Sequence, residues 1–252
     1  MNTIPPADIN WFAERFSALS NEMLENWRDA GEPTIGDEPS PDLLTSAMSQ
    51  LLELLQLIDR GTPYPHPDSA FQEDPDITEL GGYGLSILEE FVTLAEAFNM
   101  PDQISHWEQL AIAFSRWVIQ HDGEVAILSA VVNGLARIAN QSSEQNLLER
   151  LHGVINEITN AVPLSLIEGG ENDENLEPWR ILLFNRAIIA TRIFSPRLMD
   201  EAFTTLTEYF PNEAPDFFRE GIEQLDIQGY PTEVREVMER YYRDWPVKRT
   251  LH

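Results

Sequence analysis

The 252-residue sequence contains no cysteine, and its single lysine is Lys248. The absence of cysteine excludes disulfide bonds, cysteine nucleophiles and cysteine-ligated zinc or iron–sulfur centres. No apolar run approaches the roughly 18 residues that a transmembrane helix needs. The first residues show neither the basic region nor the apolar region of a secretory signal. We therefore expect a cytoplasmic protein without a membrane span.

Basic residues are scarce, since 16 lysines and arginines accompany 43 aspartates and glutamates, for a net charge of −27. The acids are concentrated early: residues 1–100 hold 19 acids and 3 bases, whereas residues 180–252 hold 12 and 10. Such a field repels nucleic acid and anionic membranes and attracts basic proteins. We expect a protein partner with a basic segment, and neither nucleic acid nor membrane as a partner. Solubility alone is the alternative explanation of the charge.

Helical periodicity runs through most of the chain. Apolar residues recur three or four positions apart, most clearly over residues 44–58. Several residues are each placed to cap a helix: Asp8, Ser40, Asp76, Asp122 and Asn212. Ser195 stands where one helix ends and the next begins. No segment alternates long enough to predict a strand. We therefore expect an all-α fold of about ten helices.

The turns between these helices are short, which makes neighbouring helices antiparallel. Helices near 124–139 and 179–194 are apolar on nearly all sides, as in helices sandwiched between layers. We expect helical hairpins stacked as a short α-solenoid or an irregular helical bundle. The charge pattern predicts an acidic N-terminal helical segment (1–167), an acidic linker (168–177) and C-terminal helical hairpins (178–252), with one continuous domain as the alternative.

Residues 180–211 resemble a tetratricopeptide repeat at three positions. Ala187 matches its small residue, Phe203 the aromatic of its second helix and Pro211 its closing proline. The other consensus positions, including the Trp, Leu and Tyr of the first helix, do not match. The resemblance is therefore one of architecture. It implies helical-repeat stacking and partner binding on a concave face, without catalysis.

The stretch EGGENDENLE at residues 168–177 is the most acidic of the sequence. A calcium-binding loop needs glycine at position 6 and glutamate at position 12. A loop that begins at Glu171 has Leu176 at position 6, and one that begins at Asp173 has Pro178 there. Both registers fail, so the stretch is interpreted as a solvated linker.

Other motifs give no catalytic or cofactor signature. GGYG at 81–84 follows no strand and lacks the Lys-Ser/Thr of a phosphate loop, so we expect a flexible lead into a helix with Tyr83 packed nearby. His106, His121 and His152 fall on separate helices or at their ends, without metal-ligand spacing. We expect no cofactor and no metal site.

Four arginines lie between residues 179 and 199, a run without any acid: Arg180, Arg186, Arg192 and Arg197. We expect each to form an ion pair with an acid on a neighbouring helix. An anion-binding groove is the alternative.

The C-terminal tail combines arginine and aromatic residues, which are enriched in binding hot spots. The candidate partner-binding residues are Arg240, Tyr241, Tyr242, Arg243, Trp245, Lys248 and Arg249. The alternative is that the aromatic residues complete the packing of the last helix and the basic residues fold back on the acidic body.

These observations favour a non-enzymatic protein–protein interaction or scaffold protein. One alternative is an acidic decoy or chaperone-like binder of a basic nucleic-acid-binding protein, which predicts a continuous acidic stripe. The other is an enzyme whose site is assembled from distant residues, which predicts a deep pocket with convergent polar groups of perturbed pKa. A homodimer through apolar faces at the ends of the stack is a further expectation.

Overall fold

The computed structural model describes residues 3–36, 39–61, 75–168 and 176–245. These residues form eleven helices and no strand, which confirms the all-α fold of about ten helices. The helices are α1 (Ile9–Asp29), α2 (Pro41–Asp59), α3 (Ile77–Ala97), α4 (Pro101–Gln120), α5 (Ser129–Gln141), α6 (Gln145–Ala161), α7 (Leu164–Ile167), α8 (Glu177–Arg192), α9 (Pro196–Tyr209), α10 (Ala214–Gln228) and α11 (Thr232–Asp244). Within the described ranges no helix is long and apolar enough to cross a bilayer.

The chain divides into two compact units. The first comprises residues 1–138 and 160–163, and the second comprises residues 139–159 and 164–252. Most of the acidic stretch at 168–177 lies outside the described residues, so the division predicted there stays a prediction.

In the first unit, α1, α2, α3 and α4 each contact the next helix, and α4 contacts α1, so that the four helices form a closed bundle. Aromatic rings fill its centre: Phe12 lies 5.1 Å from Phe114, and Phe16 lies 5.9 Å from Trp107. The later residue of α1, Phe16, contacts the earlier residue of α4, Trp107, so these two helices are antiparallel. Trp107 also stacks on Phe91 of α3 at 4.3 Å. The unit is a helical bundle, one of the two arrangements that the sequence predicted.

The prediction that residues 81–84 form a flexible segment before a helix is wrong, because these residues lie inside α3. Gly81 and Gly84 are buried, and a Cβ at either position would collide with Val118 or Phe114 of α4. The glycines therefore allow α3 and α4 to approach closely. Tyr83, expected to pack nearby, is 51% exposed.

Asp122 does not cap α5, contrary to the prediction. It takes a left-handed conformation (φ 60°), and the chain then runs without helix until Ser129. Val125 lies in this non-helical segment and is buried. Its N–H donates to the carbonyl oxygen of Ala161 at 2.8 Å, which fixes the position of the segment. By contrast, the predicted caps Asp8, Asp76 and Ser195 all accept hydrogen bonds from main-chain N–H groups of the first turns. The predicted caps Ser40 and Asn212 are wrong, because Ser40 accepts no such bond and Glu213 stands at the cap position of α10.

In the second unit, α8 pairs with α9 and α10 pairs with α11. The first hairpin stacks on the second in parallel register: Arg180 bonds to Glu213, 33 residues further on, and Phe184 contacts Phe217 at the same spacing. On the other side, Tyr241 of α11 packs against Phe203 of α9. Hairpins related by a constant offset are compatible with a helical-repeat architecture.

The middle of α8 is buried on most sides, as predicted for a helix that is apolar nearly all round. The buried residues include Leu182, Leu183, Ala187, Ile189 and Ala190. Ile188 is 43% exposed and lies on the remaining open side. A groove opens on that side of α8.

Candidate functional site

A groove of about 540 Å³ opens on the second unit between α8, α10 and α11. Its apolar lining comes from Ile188 on α8, Phe217 and Leu225 on α10, Tyr230 in the following turn and Met238 on α11. Gly221 lets α10 and α11 approach closely here, because a Cβ at this position would meet the Met238 sulfur at 2.7 Å. The volume falls within the range of sites that bind ligand groups. We call it the α8–α10 groove.

Phe194 stands directly after α8 beside this groove. Its ring packs edge-on against Tyr230 at 5.3 Å and is 48% exposed. Its backbone is left-handed (φ 59°), a conformation that glycine or asparagine adopts at a helix end without strain. A large exposed aromatic residue held in a strained conformation is the kind of outlier that concentrates at functional sites.

The charges at the α8–α10 groove are balanced. Glu220 and Arg192 both line it. The guanidinium of Arg192 is directed inwards, because Nη1 donates to the carbonyl oxygen of Ala139 at 2.9 Å and Nη2 donates to that of Ser142. The rest of the lining is uncharged: the apolar and aromatic residues named above, together with the polar residues Asn140, Thr191 and Gln224.

A second, smaller pocket of about 280 Å³ lies where α8 begins and α9 ends. Its lining residues are Ile167, Leu176, Trp179, Tyr209, Phe210 and Pro211, together with the carboxylate residue Glu208. The rings of Trp179 and Tyr209 stand perpendicular to each other, at 88°, with centroids 5.6 Å apart. We call it the Trp179 pocket.

Two features of the Trp179 pocket stand out chemically. Trp179 is only 3% exposed, and its buried indole Nε1–H has no acceptor among the described residues. The pocket also has a carboxylate in its lining, that of Glu208, while Glu168 and Glu177 follow the lining residues Ile167 and Leu176 in the chain.

The structure separates the predicted tail residues into different roles. Tyr241 is structural: its hydroxyl donates to the Asp200 carbonyl oxygen at 3.1 Å, and its ring packs on Phe203 and Phe218. Burial raises its pKa. Arg240 forms an ion pair with Asp200 and lies over the Tyr241 ring.

Three other predicted tail residues are open to a partner to different degrees. Tyr242 and Arg243 are exposed, and Trp245 is half-buried at the end of α11. Lys248 and Arg249 lie outside the described residues. Partner binding by the tail stays a prediction, whereas the packing alternative holds for Tyr241 and Arg240.

The prediction that each of the four arginines pairs with an acid on a neighbouring helix holds for Arg180 alone, since the partner of Arg197 lies on the same helix, α9. Arg180 pairs with Glu213 and Glu177, and Arg197 pairs with Glu201. Arg186 and Arg192 instead donate to neutral oxygens, those of the Thr205 hydroxyl and of two main-chain carbonyls. Helix ends and hydroxyl groups supply these oxygens, which residue spacing does not reveal.

Arg186 lies close to a buried histidine. His152 on α6 is 4% exposed and Arg186 on α8 is 7% exposed. Burial, and after it the Arg186 guanidinium, lower the pKa of His152 to about 4 against an opposing effect of Glu201. Burial also lowers the pKa of Arg186. Among the described residues neither Nε2 of His152 nor Nε of Arg186 has a hydrogen-bond partner.

The first unit has a groove of about 500 Å³ between its N-terminal segment, α1 and α4. Trp11, Arg15, Glu22 and His106 line it, and Arg15 lies over the Trp11 ring at 5.9 Å. Arg15, Glu22 and His106 are all exposed. The enzyme hypothesis stays a prediction.

Over the described residues, no three histidine, aspartate or glutamate side chains are placed to hold a metal ion together. The chain matches no protein-family model, no curated protein and no solved structure. The helix arrangement is compatible with a helical-repeat architecture, and the finer resemblance to tetratricopeptide repeats stays a prediction.

Sequence reasoning missed the residues of both sites in the second unit. Phe194 carried a usable signal, because a large aromatic residue sits between a helix and the Ser195-Pro196 cap, where the chain must turn without glycine. Trp179 and Tyr209 come together only through the antiparallel pairing of α8 and α9, which places the start of one helix beside the end of the other.

Proposed function

We propose that this chain is a non-enzymatic interaction protein that binds a large apolar side chain of a protein partner in the α8–α10 groove. The observation that carries the proposal is Phe194, a half-exposed aromatic residue in a strained backbone conformation beside an apolar groove. The helical-repeat arrangement of α8 to α11 supports it, since stacked hairpins offer binding surfaces between equivalent helices.

The physical argument starts from the cost of this arrangement. A left-handed non-glycine residue costs on the order of 1–3 kcal/mol. Keeping the Phe194 and Ile188 side chains half in water forgoes part of the free energy gained by burying them. Aromatic anchors beside a pocket recover this free energy when a partner covers them.

The test separates binding from folding. A displayed library of random 12-residue peptides is selected on the whole chain and on the Phe194→Gly variant. We expect peptides with large apolar residues to be enriched on the wild-type chain and to lose binding to the variant. Leu43→Ala, which removes an apolar side chain that is 60% exposed in the first unit, is the matched control and keeps binding.

Folding of the variant is checked by urea unfolding. Glycine relieves the strain of the left-handed conformation, which stabilises the folded variant by about 1 kcal/mol. The lost ring contact with Tyr230 and the greater entropy of the unfolded chain each destabilise it by about 1 kcal/mol. The variant therefore keeps wild-type stability within about 1 kcal/mol. A selection that enriches nothing, or binding that survives Phe194→Gly, overturns the proposal. A dimer that light scattering detects for the wild-type chain and not for Phe194→Gly would show that the groove binds a second copy of this chain, and it would overturn the proposal of a different partner protein.

A further inference from the structure

We infer that the Trp179 pocket binds the cationic side chain of a lysine or arginine residue in a protein partner. The inference rests on the proposed function, because a partner protein has to present this side chain. It concerns a different pocket from the α8–α10 groove, so the two can fail separately.

The size of the Trp179 pocket argues for one side chain. Its volume of about 280 Å³ lies just below the range of sites for whole small-molecule ligands. Its walls are mostly aromatic and aliphatic, and these suit the methylene stem of a long side chain. A whole cofactor would need a larger cavity.

The chemistry of the walls argues for a cation. Trp179 and Tyr209 form two perpendicular aromatic walls, and an ammonium or guanidinium group is attracted to aromatic ring faces. Glu208 adds a carboxylate to the lining. An anionic side chain would meet repulsion from both the ring faces and this carboxylate.

The charges around the pocket point the same way. Glu168 and Glu177 adjoin its lining at Ile167 and Leu176. The basic residue next to Trp179, Arg180, is held by Glu177 at 3.0 Å and by Glu213 at 2.7 Å. Arg180 is therefore already paired and does not neutralise the lining carboxylate of Glu208, which favours the approach of a basic segment.

The indole of Trp179 lies at the pocket and can report on its occupancy. Its Nε1–H is buried without an acceptor among the described residues, so a cation bound beside Tyr209 and Glu208 changes the surroundings of this N–H without a direct hydrogen bond to it.

The experiment follows the Trp179 indole signal by nitrogen–proton NMR of the full chain, which has six tryptophans. The probes are acetylated, amidated tripeptides Gly-X-Gly, in which X is lysine, arginine, norleucine or glutamate. The Trp179→Phe variant assigns the signal. We expect the lysine or arginine tripeptide to shift the Trp179 indole signal until the pocket is saturated, and high salt to reduce the affinity. The norleucine and glutamate tripeptides are expected to leave the signal unshifted.

Variants identify the source of the shift. Glu208→Gln is expected to weaken binding of the cationic tripeptide roughly two- to fivefold, as for a solvent-accessible ion pair. Glu149→Gln, which changes an exposed acid on α6, leaves it unchanged. Equal shifts from all four tripeptides, or no shift from either cationic one, overturn the inference.

The two proposals give different failures. Phe194→Gly leaves the tripeptide-induced shift intact if the Trp179 pocket is a separate site. Absence of the shift, together with Phe194-dependent selection of peptides, leaves the proposed function standing and removes only this inference. A shift without any peptide selection removes the α8–α10 groove as the docking site.

Discussion

Acidification is expected to destabilise the second unit through His152. This residue is buried between α6 and α8, where desolvation first and the Arg186 guanidinium second lower its pKa from 6.5 to about 4. Arg197 adds to this shift and Glu201 opposes it. Protonation therefore places a positive charge in a buried region beside another cation.

The sign and the magnitude follow from proton linkage. Between pH 6.5 and about 4 the unfolded chain binds a proton on His152 that the folded chain does not, so stability falls as the pH falls. A shift of this size is worth about 3 kcal/mol at about 1.4 kcal/mol per pH unit. The contribution is fully present above pH 6.5 and is lost by about pH 4, below which no further loss is expected from His152.

The assay compares the wild-type chain with His152→Leu, which removes the titrating group. Hydrogen exchange of main-chain amides in α6 and α8 reports the local free energy of unfolding at several pH values from 7 to 4. The difference between the two chains isolates His152 from the many carboxylates that titrate in both. We expect the wild-type amides to lose about 3 kcal/mol more than those of the variant. Parallel pH dependences in the two chains would refute the reasoning, as would an NMR titration that places the pKa of His152 near 6.5.

Two predictions concern stability in the first unit and its control positions, measured by urea unfolding. Gly134→Ala lowers the free energy of unfolding by about 1–3 kcal/mol, because the new Cβ would lie 3.0 Å from the main-chain oxygen of Glu108. Gly153→Ala, in α6 of the second unit with open space around it, raises the free energy of unfolding by about 0.5–1 kcal/mol. Equal effects at the two glycines would contradict the close packing of α4 on α5. Arg137→Met lowers the free energy of unfolding by about 3 kcal/mol, since Glu108 is 2% exposed and loses both hydrogen bonds from Arg137. The control Arg219→Met changes an exposed ion-pair cluster and leaves the free energy of unfolding unchanged. A harmless Arg137→Met would show that Glu108 is not a buried charge.

The helices could be predicted from the sequence because their ends are encoded locally. Asp8, Asp76 and Ser195 cap the first turns as predicted, since a side-chain oxygen beside free N–H groups acts within three residues. The same rule failed at Asp122, where the buried Val125 and its main-chain hydrogen bond to Ala161 lie in a non-helical segment before α5.

The sites could not be predicted, because they depend on which helix lies beside which. The sequence drew attention to the arginine and aromatic residues of the tail, yet Tyr241 is used for packing and Arg240 for an ion pair with Asp200. The glycines of α3 look like loop residues when read alone and become contact points once α4 lies against them. Tertiary pairing at the start of α8 makes a pocket from Trp179 and Tyr209, which are far apart in the chain.

The central claim is that a protein partner is bound at the α8–α10 groove. Site-specific photocrosslinking tests it most directly, with benzoyl-phenylalanine placed at Phe194 or, as the control, at Leu43, in the full-length chain inside the source cells. The account predicts a crosslink to one partner protein from position 194, absent from position 43 and lost when Ile188→Asp is added to the groove. No crosslink from position 194, or the same proteins crosslinked from both positions, would contradict it.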